Sequence, residues 1–176
     1  NILITGANGQ LGNEMKVLSA ENTQHTYFFT DVQELDICNE EAIEAFVAEN
    51  EIELIVNCAA YTAVDNAEDN RELCDKLNHI APGYLARAAQ RRGAAIIQVS
   101  TDYVFDGTAH IPYTEEEPTC PASVYGSTQL AGEQAVIAWY LNAVIIRTGW
   151  IYSIFGTHFL KLDRQSVLLG QSVDQC

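Results

Sequence analysis

The sequence predicts a doubly wound, mostly parallel α/β sheet with helices on both faces. Three observations carry that prediction. Short apolar runs of strand length alternate with helical segments along the chain, the pattern of parallel strands joined by crossover helices. The first apolar run, Asn1 to Thr5, leads straight into Gly6, Gly9 and Gly12. Later runs end in small or polar residues, at the strand ends where such sheets bind ligands.

The elements follow in order. Ile2-Leu3-Ile4-Thr5 reads as a strand, and a helix starts near Gln10 with Leu11, Met15 and Leu18 on one apolar face. Tyr27-Phe28-Phe29-Thr30 is a second strand, closed by Asp31. Asn39 caps the next helix; Glu40 and Glu41 in its first turn suit the helix dipole, and Ile43, Phe46 and Val47 form its buried stripe. Ile52 to Cys58 is a strand interrupted only by Glu53. A long helical stretch runs from about Arg71 to Arg92, with Leu73, Leu77, Tyr84, Leu85 and Ala88 apolar; Pro82 is expected to kink it or start a fresh turn. Ala94 to Ser100 is the next strand, and a loop rich in Thr, Pro and Glu covers Asp106 to Ala122. A helix from about Val124 to Tyr140 and a strand from Ala143 to Thr148 follow. No internal repeat or low-complexity linker interrupts this order.

The glycine turn has a chemical reading. Glycine at 6 permits a tight strand-to-helix turn, Gly9 lets backbone approach a pyrophosphate, and Gly12 allows close helix packing. The helix beginning at Gln10 aims its N–H groups and positive dipole end at the phosphates. Asp31, nineteen positions after Gly12, is the acid that can accept hydrogen bonds from an adenosine ribose and would repel a 2′-phosphate. No arginine or lysine lies close in sequence to hold such a phosphate, so NADH is expected to be somewhat preferred over NADPH. Asp36 and Ile37 are expected to flank the adenine. Asn57-Cys58-Ala59-Ala60-Tyr61, Ser100-Thr101-Asp102-Tyr103 and Arg147-Thr148-Gly149-Trp150 would surround one crevice at the strand ends.

Composition bounds the alternatives. At 176 residues the chain has the length of one domain, large enough to bury a core. A formal charge of −15, from 24 acids and 9 bases, argues against nucleic acid or an anionic membrane as partner. Cysteines 38, 58, 74, 120 and 176 are scattered and without CxxC spacing, which suits a reducing compartment better than a disulfide framework or zinc site. No apolar run reaches the ~18 residues of a membrane span. Because the chain begins directly on a strand, no signal peptide is expected. His25, His79, His110 and His158 lack ligand spacing, Glu115-Glu116-Glu117 reads as a solvated loop, and no metal site is expected from spacing.

These motifs resemble the extended short-chain dehydrogenase/reductase family. The likeness is carried by the GxxGxxG at 6–12, by Asn57 to Asp65, by Ser100-Thr101-Asp102-Tyr103-Val104-Phe105-Asp106-Gly107, and by Val124-Tyr125-Gly126 with Leu130-Ala131-Gly132-Glu133. The pattern is most similar to the dTDP-4-dehydrorhamnose reductase branch, and it covers Asn1 to about Leu160. It implies reduction of dTDP-4-dehydro-L-rhamnose to dTDP-L-rhamnose by hydride transfer from NADPH or NADH, in cytoplasmic synthesis of nucleotide sugars for cell-surface polysaccharide. By the same resemblance Thr101 and Tyr125 are catalytic, and Asn78 supports a proton relay. Gly6, Asn8, Gly9, Gln10, Leu11, Gly12, Asp31, Asp36, Ile37, Ala59, Ala60 and Tyr61 hold the cofactor. Asp102, Tyr103, Val104 and Trp150 lie around the sugar, although a tryptophan after a strand is more often core unless the crevice is open. The resemblance also allows a Mg2+ ion and a homodimer.

The chain departs from the family pattern twice. The superfamily motif is Tyr-x-x-x-Lys, whereas here Gln129 occupies the lysine position. A lysine one turn along the helix puts a charge beside the phenol. At ~4 Å and an effective dielectric near 20 that charge is worth roughly 4 kcal/mol, about three pKa units. Its loss should matter less for ketone reduction than for alcohol oxidation, so a weakened reductase is expected. The second departure is the tail. Residues 1–160 read as the dinucleotide-binding domain, and 161–176 as a divergent tail with the family's C-terminal substrate-binding part largely missing. The lost lysine also motivates a rival: the regulatory beta subunit of methionine adenosyltransferase resembles this family, binds NADP and works by binding a partner. Other nucleotide-sugar epimerases and dehydratases come third, and the Thr101-to-Gly107 run speaks against them.

Overall fold

Five strands lie side by side in the computed structural model, which describes residues 1–156: β1 (Ile2–Thr5), β2 (Tyr27–Thr30), β3 (Leu54–Asn57), β4 (Ala95–Thr101) and β5 (Val144–Thr148). Their order in the sheet is β2-β1-β3-β4-β5, and every pairing is parallel. The helices are α1 (Gln10–Glu21), α2 (Glu40–Glu49), α3 (Val64–Ala67), α4 (Arg71–Asp75), α5 (Ala81–Arg92) and α6 (Val124–Trp139). From β1 the chain steps one way to β2 and thereafter the other way to β3, β4 and β5. Right-handed crossovers therefore place α1 on one face and α2, α5 and α6 on the other. The packing agrees, with α5 in contact with both α2 and α6 while α1 touches β1 and β2. The boundary at 160, the stretch 161–176 and His158 lie outside the described residues.

The main core sits under the three-helix layer. Leu3, Ile55 and Ile96 of three strands meet Ile43 and Val47 of α2 and Leu85, Ala88 and Ala89 of α5, all fully or nearly buried. Phe46, Leu77 and Tyr84 pack against this cluster from its margin. Asn39 caps α2 by accepting the Ala42 N–H at 3.1 Å. On the opposite face the predicted stripe of α1 is only partly realised. Leu11 and Met15 are half-buried but Leu18 is 57% exposed, because no other described helix packs beside α1 there. Leu73, likewise expected to be apolar and packed, is 48% exposed on the short α4.

Pro82 starts a fresh helical segment, as expected, without interrupting the helical stretch. Between α4 and α5 the chain passes through a π-helical turn, Lys76–Ile80, and Pro82 enters in the first turn of α5. A proline ring clashes with the carbonyl four residues back, here Asn78, and widening the helix relieves that clash. Two short elements escape the sequence pattern, α3 and a 3₁₀ turn at Asp102–Val104. Each is too short to show a period.

Candidate active site

The glycine turn lies between β1 and α1, at the carboxyl edge of the sheet. Gly6 has φ +64, and a Cβ there would meet the backbone of Ala59, at the end of β3, at 2.6 Å. Only glycine lets the two strand ends approach so closely. At Gly12 the crowding comes from Gly6 and Ala7 of the same turn, so this glycine closes the helix onto its own loop. Among the described residues a Cβ at Gly9 would meet nothing but the Gly6 carbonyl, leaving that side open to a ligand. Gln10 opens α1, and its Oε1 is buried with no hydrogen-bond partner among the described residues.

Asp31 stands immediately after β2, as expected. Its carboxylate accepts the Asn8 N–H at 3.1 Å and the Val32 N–H at 2.8 Å, which ties it to the glycine turn. No base lies close to Asp31 in sequence, but the fold brings one to the turn. Helix α1 carries Lys16 back over the turn, and its Nζ donates to Asn8 Oδ1 at 3.2 Å. Ile37 is 6% exposed within the main core, so contact with an adenine could come only from its backbone. Asp36 accepts the Cys38 N–H at 2.9 Å and remains exposed.

At the other end of the crevice, Thr101 closes β4 and Tyr125 occupies the first turn of α6. The α6 cap is Ser123, whose hydroxyl accepts the Gly126 N–H at 3.0 Å. The Thr101 hydroxyl faces the Tyr125 phenol; it also accepts the Tyr103 N–H at 3.2 Å and donates to Asp102 Oδ1 at 3.2 Å. Burial pushes the Tyr125 phenol above its ordinary pKa of 10, its hydrogen bond with Thr101 pulls the other way, and the Asp102 charge adds to the rise. Among the described residues no cation contributes. The phenol is thus a protonated acid at neutral pH. Tyr103 meets Tyr125 edge-on, with ring centroids 5.5 Å apart, and is 46% exposed. Trp150 is 68% exposed, at a φ of +27 that a tryptophan rarely adopts. The Val104 side chain is fully buried, so any contact of this residue with a sugar would come from its backbone.

Gln129, one helical turn below Tyr125, is 3% exposed. Asn78 is brought to the same region, but its side chain is committed elsewhere. Oδ1 accepts the Tyr61 N–H at 2.7 Å and Nδ2 donates to the Tyr61 carbonyl at 3.1 Å, pinning the loop of Ala59, Ala60 and Tyr61. Any part in a proton relay therefore falls to the Asn78 backbone. A Cβ at Gly132 of α6 would collide with that Asn78 carbonyl, so α6 can seat against the π turn only through glycine.

Sequence reasoning missed the buried polar groups that hold these pieces in register. Thr5 donates to Asn57 Oδ1 at 2.5 Å, and Asn57 donates to Gln98 Oε1 at 2.7 Å, a ladder across β1, β3 and β4. Ser100 donates to Glu133 Oε1 at 2.5 Å, and Arg147 grips both Glu133 oxygens, its Nη2 at 2.7 Å. The available signal was a polar residue inside an apolar strand run, as at Gln98 and Arg147.

Comparison with known proteins decides the family. The family described as the RmlD substrate binding domain matches residues 1–172. The chain belongs to this family. The match runs into the stretch from 161 that the sequence reading set apart. Among similar proteins is a probable dTDP-4,6-dihydroxy-2-methyloxan-3-one 4-ketoreductase of Streptomyces antibioticus, 40% identical over 98% of this chain and 58% of the relative. A solved dTDP-4-dehydrorhamnose reductase from Clostridium acetobutylicum superposes with a TM-score of 0.89 at 46% identity, covering 96% of this chain and 59% of that one. Another, from Bacillus anthracis in complex with NADP, has a TM-score of 0.89 at 37% identity, covering 94% and 58%. The chain thus spans under two thirds of the length of these relatives.

Proposed function

We propose that the chain takes part in reducing the 4-keto group of a dTDP-4-dehydro-6-deoxy sugar, dTDP-4-dehydro-L-rhamnose first, with NADPH or NADH as reductant. The observation that carries this reading is the pairing of Thr101 with a protonated Tyr125 at the carboxyl edge of a parallel sheet, in line with a glycine turn that fits a dinucleotide. The cofactor fit rests on the side of Gly9 that no described atom beyond the Gly6 carbonyl fills, on the α1 N-terminus, and on the Asp31 carboxylate. Gly6, Asn8, Gly9, Gln10, Leu11, Gly12, Asp31, Ala59, Ala60 and Tyr61 would hold it. When bound, the reduced nicotinamide supplies the hydride.

The chain's own residues handle the proton. Thr101 and Tyr125 can direct their hydroxyls at one ketone oxygen, and as charge grows there the phenol donates its proton to the nascent alkoxide. Asp102, Tyr103 and Trp150 are exposed and would lie around the sugar. Among the described residues no group of three His, Cys, Asp or Glu side chains could hold a metal ion, so no step is routed through Mg2+.

The relatives' names favour the reductase over the partner-binding rival. One is named a 4-ketoreductase and the solved structures are named dTDP-4-dehydrorhamnose reductases. The reading keeps the homodimer that the resemblance allows, and the cytoplasm, where nucleotide sugars and reduced cofactors are made; among the described residues no helix is long and apolar enough to cross a membrane. A coupled assay that generates dTDP-4-dehydro-L-rhamnose and follows oxidation of NADPH or NADH tests the proposal. Cofactor oxidation that depends on the sugar and disappears in Tyr125→Phe supports it. Tight cofactor binding with no sugar-dependent oxidation, in a chain extended to the relatives' length, would overturn it.

A further inference from the structure

The ribose end of the dinucleotide site has a feature that the glycine pattern does not require. Asp31 alone would turn away a 2′-phosphate by charge, and Glu34 reinforces it, since its carboxylate accepts the Asp31 N–H at 2.9 Å. Opposite them stands Lys16. It lies in the second turn of α1, its Nζ donates to Asn8 Oδ1 at 3.2 Å, and its ammonium sits 5.9 Å from the ring centre of Phe29 on β2. Asn8 in turn donates its N–H to Asp31. One residue therefore separates the ammonium from the ribose acceptor, and the aromatic ring and the turn hold it on that side. Among the described residues Lys16 pairs with no carboxylate, so its charge is available. The Asp31 oxygens, meanwhile, each already accept a backbone N–H, which spreads part of their charge into the loop.

We propose that Lys16 is the specificity-determining residue of this site: it supplies the countercharge that lets a 2′-phosphorylated adenosine ribose bind beside Asp31, so that NADPH and NADH are both accepted. The inference rests on the dinucleotide reading given above. Asp31 serves the free 2′-hydroxyl of NADH, and Lys16 serves the phosphate of NADPH. The two groups act on different cofactors at one place.

Titration of NADPH and NADH by fluorescence, with the wild-type chain, Lys16→Met and Lys16→Arg, tests the assignment. Methionine keeps most of the apolar stem that crosses Phe29 and removes only the charge. The expected result is about a tenfold loss of NADPH affinity in Lys16→Met, with NADH affinity within about twofold and Lys16→Arg close to wild type. Wild-type NADPH binding should also weaken more steeply with salt than that of Lys16→Met. Equal weakening of both cofactors, or an unchanged NADPH-to-NADH ratio, would overturn the inference and leave the cofactor site standing. A folded wild-type chain that binds neither cofactor overturns the site and the inference together.

Discussion

Tyr125 shows how one side chain's surroundings select a direction of chemistry. Burial and the Asp102 charge hold its phenol protonated, and among the described residues no cation opposes them. A phenol that must donate is suited by those conditions, and one that must first ionise is not. Tyr125→Phe should therefore cut kcat by about two to four orders of magnitude while leaving cofactor affinity nearly unchanged. The pH dependence has a definite sign. The active form is protonated, so reduction is fully active below the phenol's pKa and is lost as pH rises through it. With that pKa raised above 10, the alkaline limb of kcat should lie above pH 10. Asp102→Asn removes a cause of the rise, and a kcat–pH profile should show its limb at lower pH. A limb that stays in place would mean another group controls it. Gln129→Lys should move the limb down further, by up to about three units if the ammonium reaches ~4 Å from the phenol. Turnover should rise where ribose contact limits it. Because Gln129 is 3% exposed, the new charge must be desolvated, and the melting temperature should fall at the same time.

Among the elements, α6 carries the most constraint. Its first turn presents Tyr125, its middle seats Gly132 on the π turn, and Glu133 joins it to β4 through Ser100 and to β5 through Arg147. Glu133 is 3% exposed, so Glu133→Ala leaves the Arg147 guanidinium without its partner and should destabilise the chain by about 3 kcal/mol in urea unfolding. A loss below about 1 kcal/mol would show that the pair contributes little net stability. Such groups also mark where sequence reading stops. The strands and the Gly6-to-Gly12 turn were legible because local period and local backbone geometry define them. So were Asn39 as a cap and the alternation that makes the sheet parallel. The Ser100–Glu133 contact joins residues 33 apart, and neither residue type announces the other. Lys16 was overlooked for a related reason: it precedes Asp31 by fifteen positions in sequence, yet the helix folds it back over the turn. The burial of Val104 was not legible because Asp102 and Tyr103 just before it are exposed, while the 3₁₀ turn sends its side chain into the core.

For the whole molecule, charge and coverage act against each other. Three helices cover one sheet face and, among the described residues, α1 alone covers the other; β5 is the outer strand on that side, with Val144 51% and Ile146 45% exposed. An outer strand with apolar side chains is a template for association. The formal charge of −15 opposes it by repulsion between copies. The 176-residue chain should therefore stay dispersed at low ionic strength and associate as salt shortens the Debye length from ~30 Å at 0.01 M to ~8 Å at 0.15 M. Replacing both Val144 and Ile146 with lysine should suppress that salt-induced association in light scattering. Since both are half-exposed, the unfolding free energy should move by no more than about 1 kcal/mol. The two lysines also lower the net negative charge, so a purely electrostatic account predicts more association in the variant. Less association identifies the apolar strand as the adhesive surface, and more would show that charge alone keeps the copies apart.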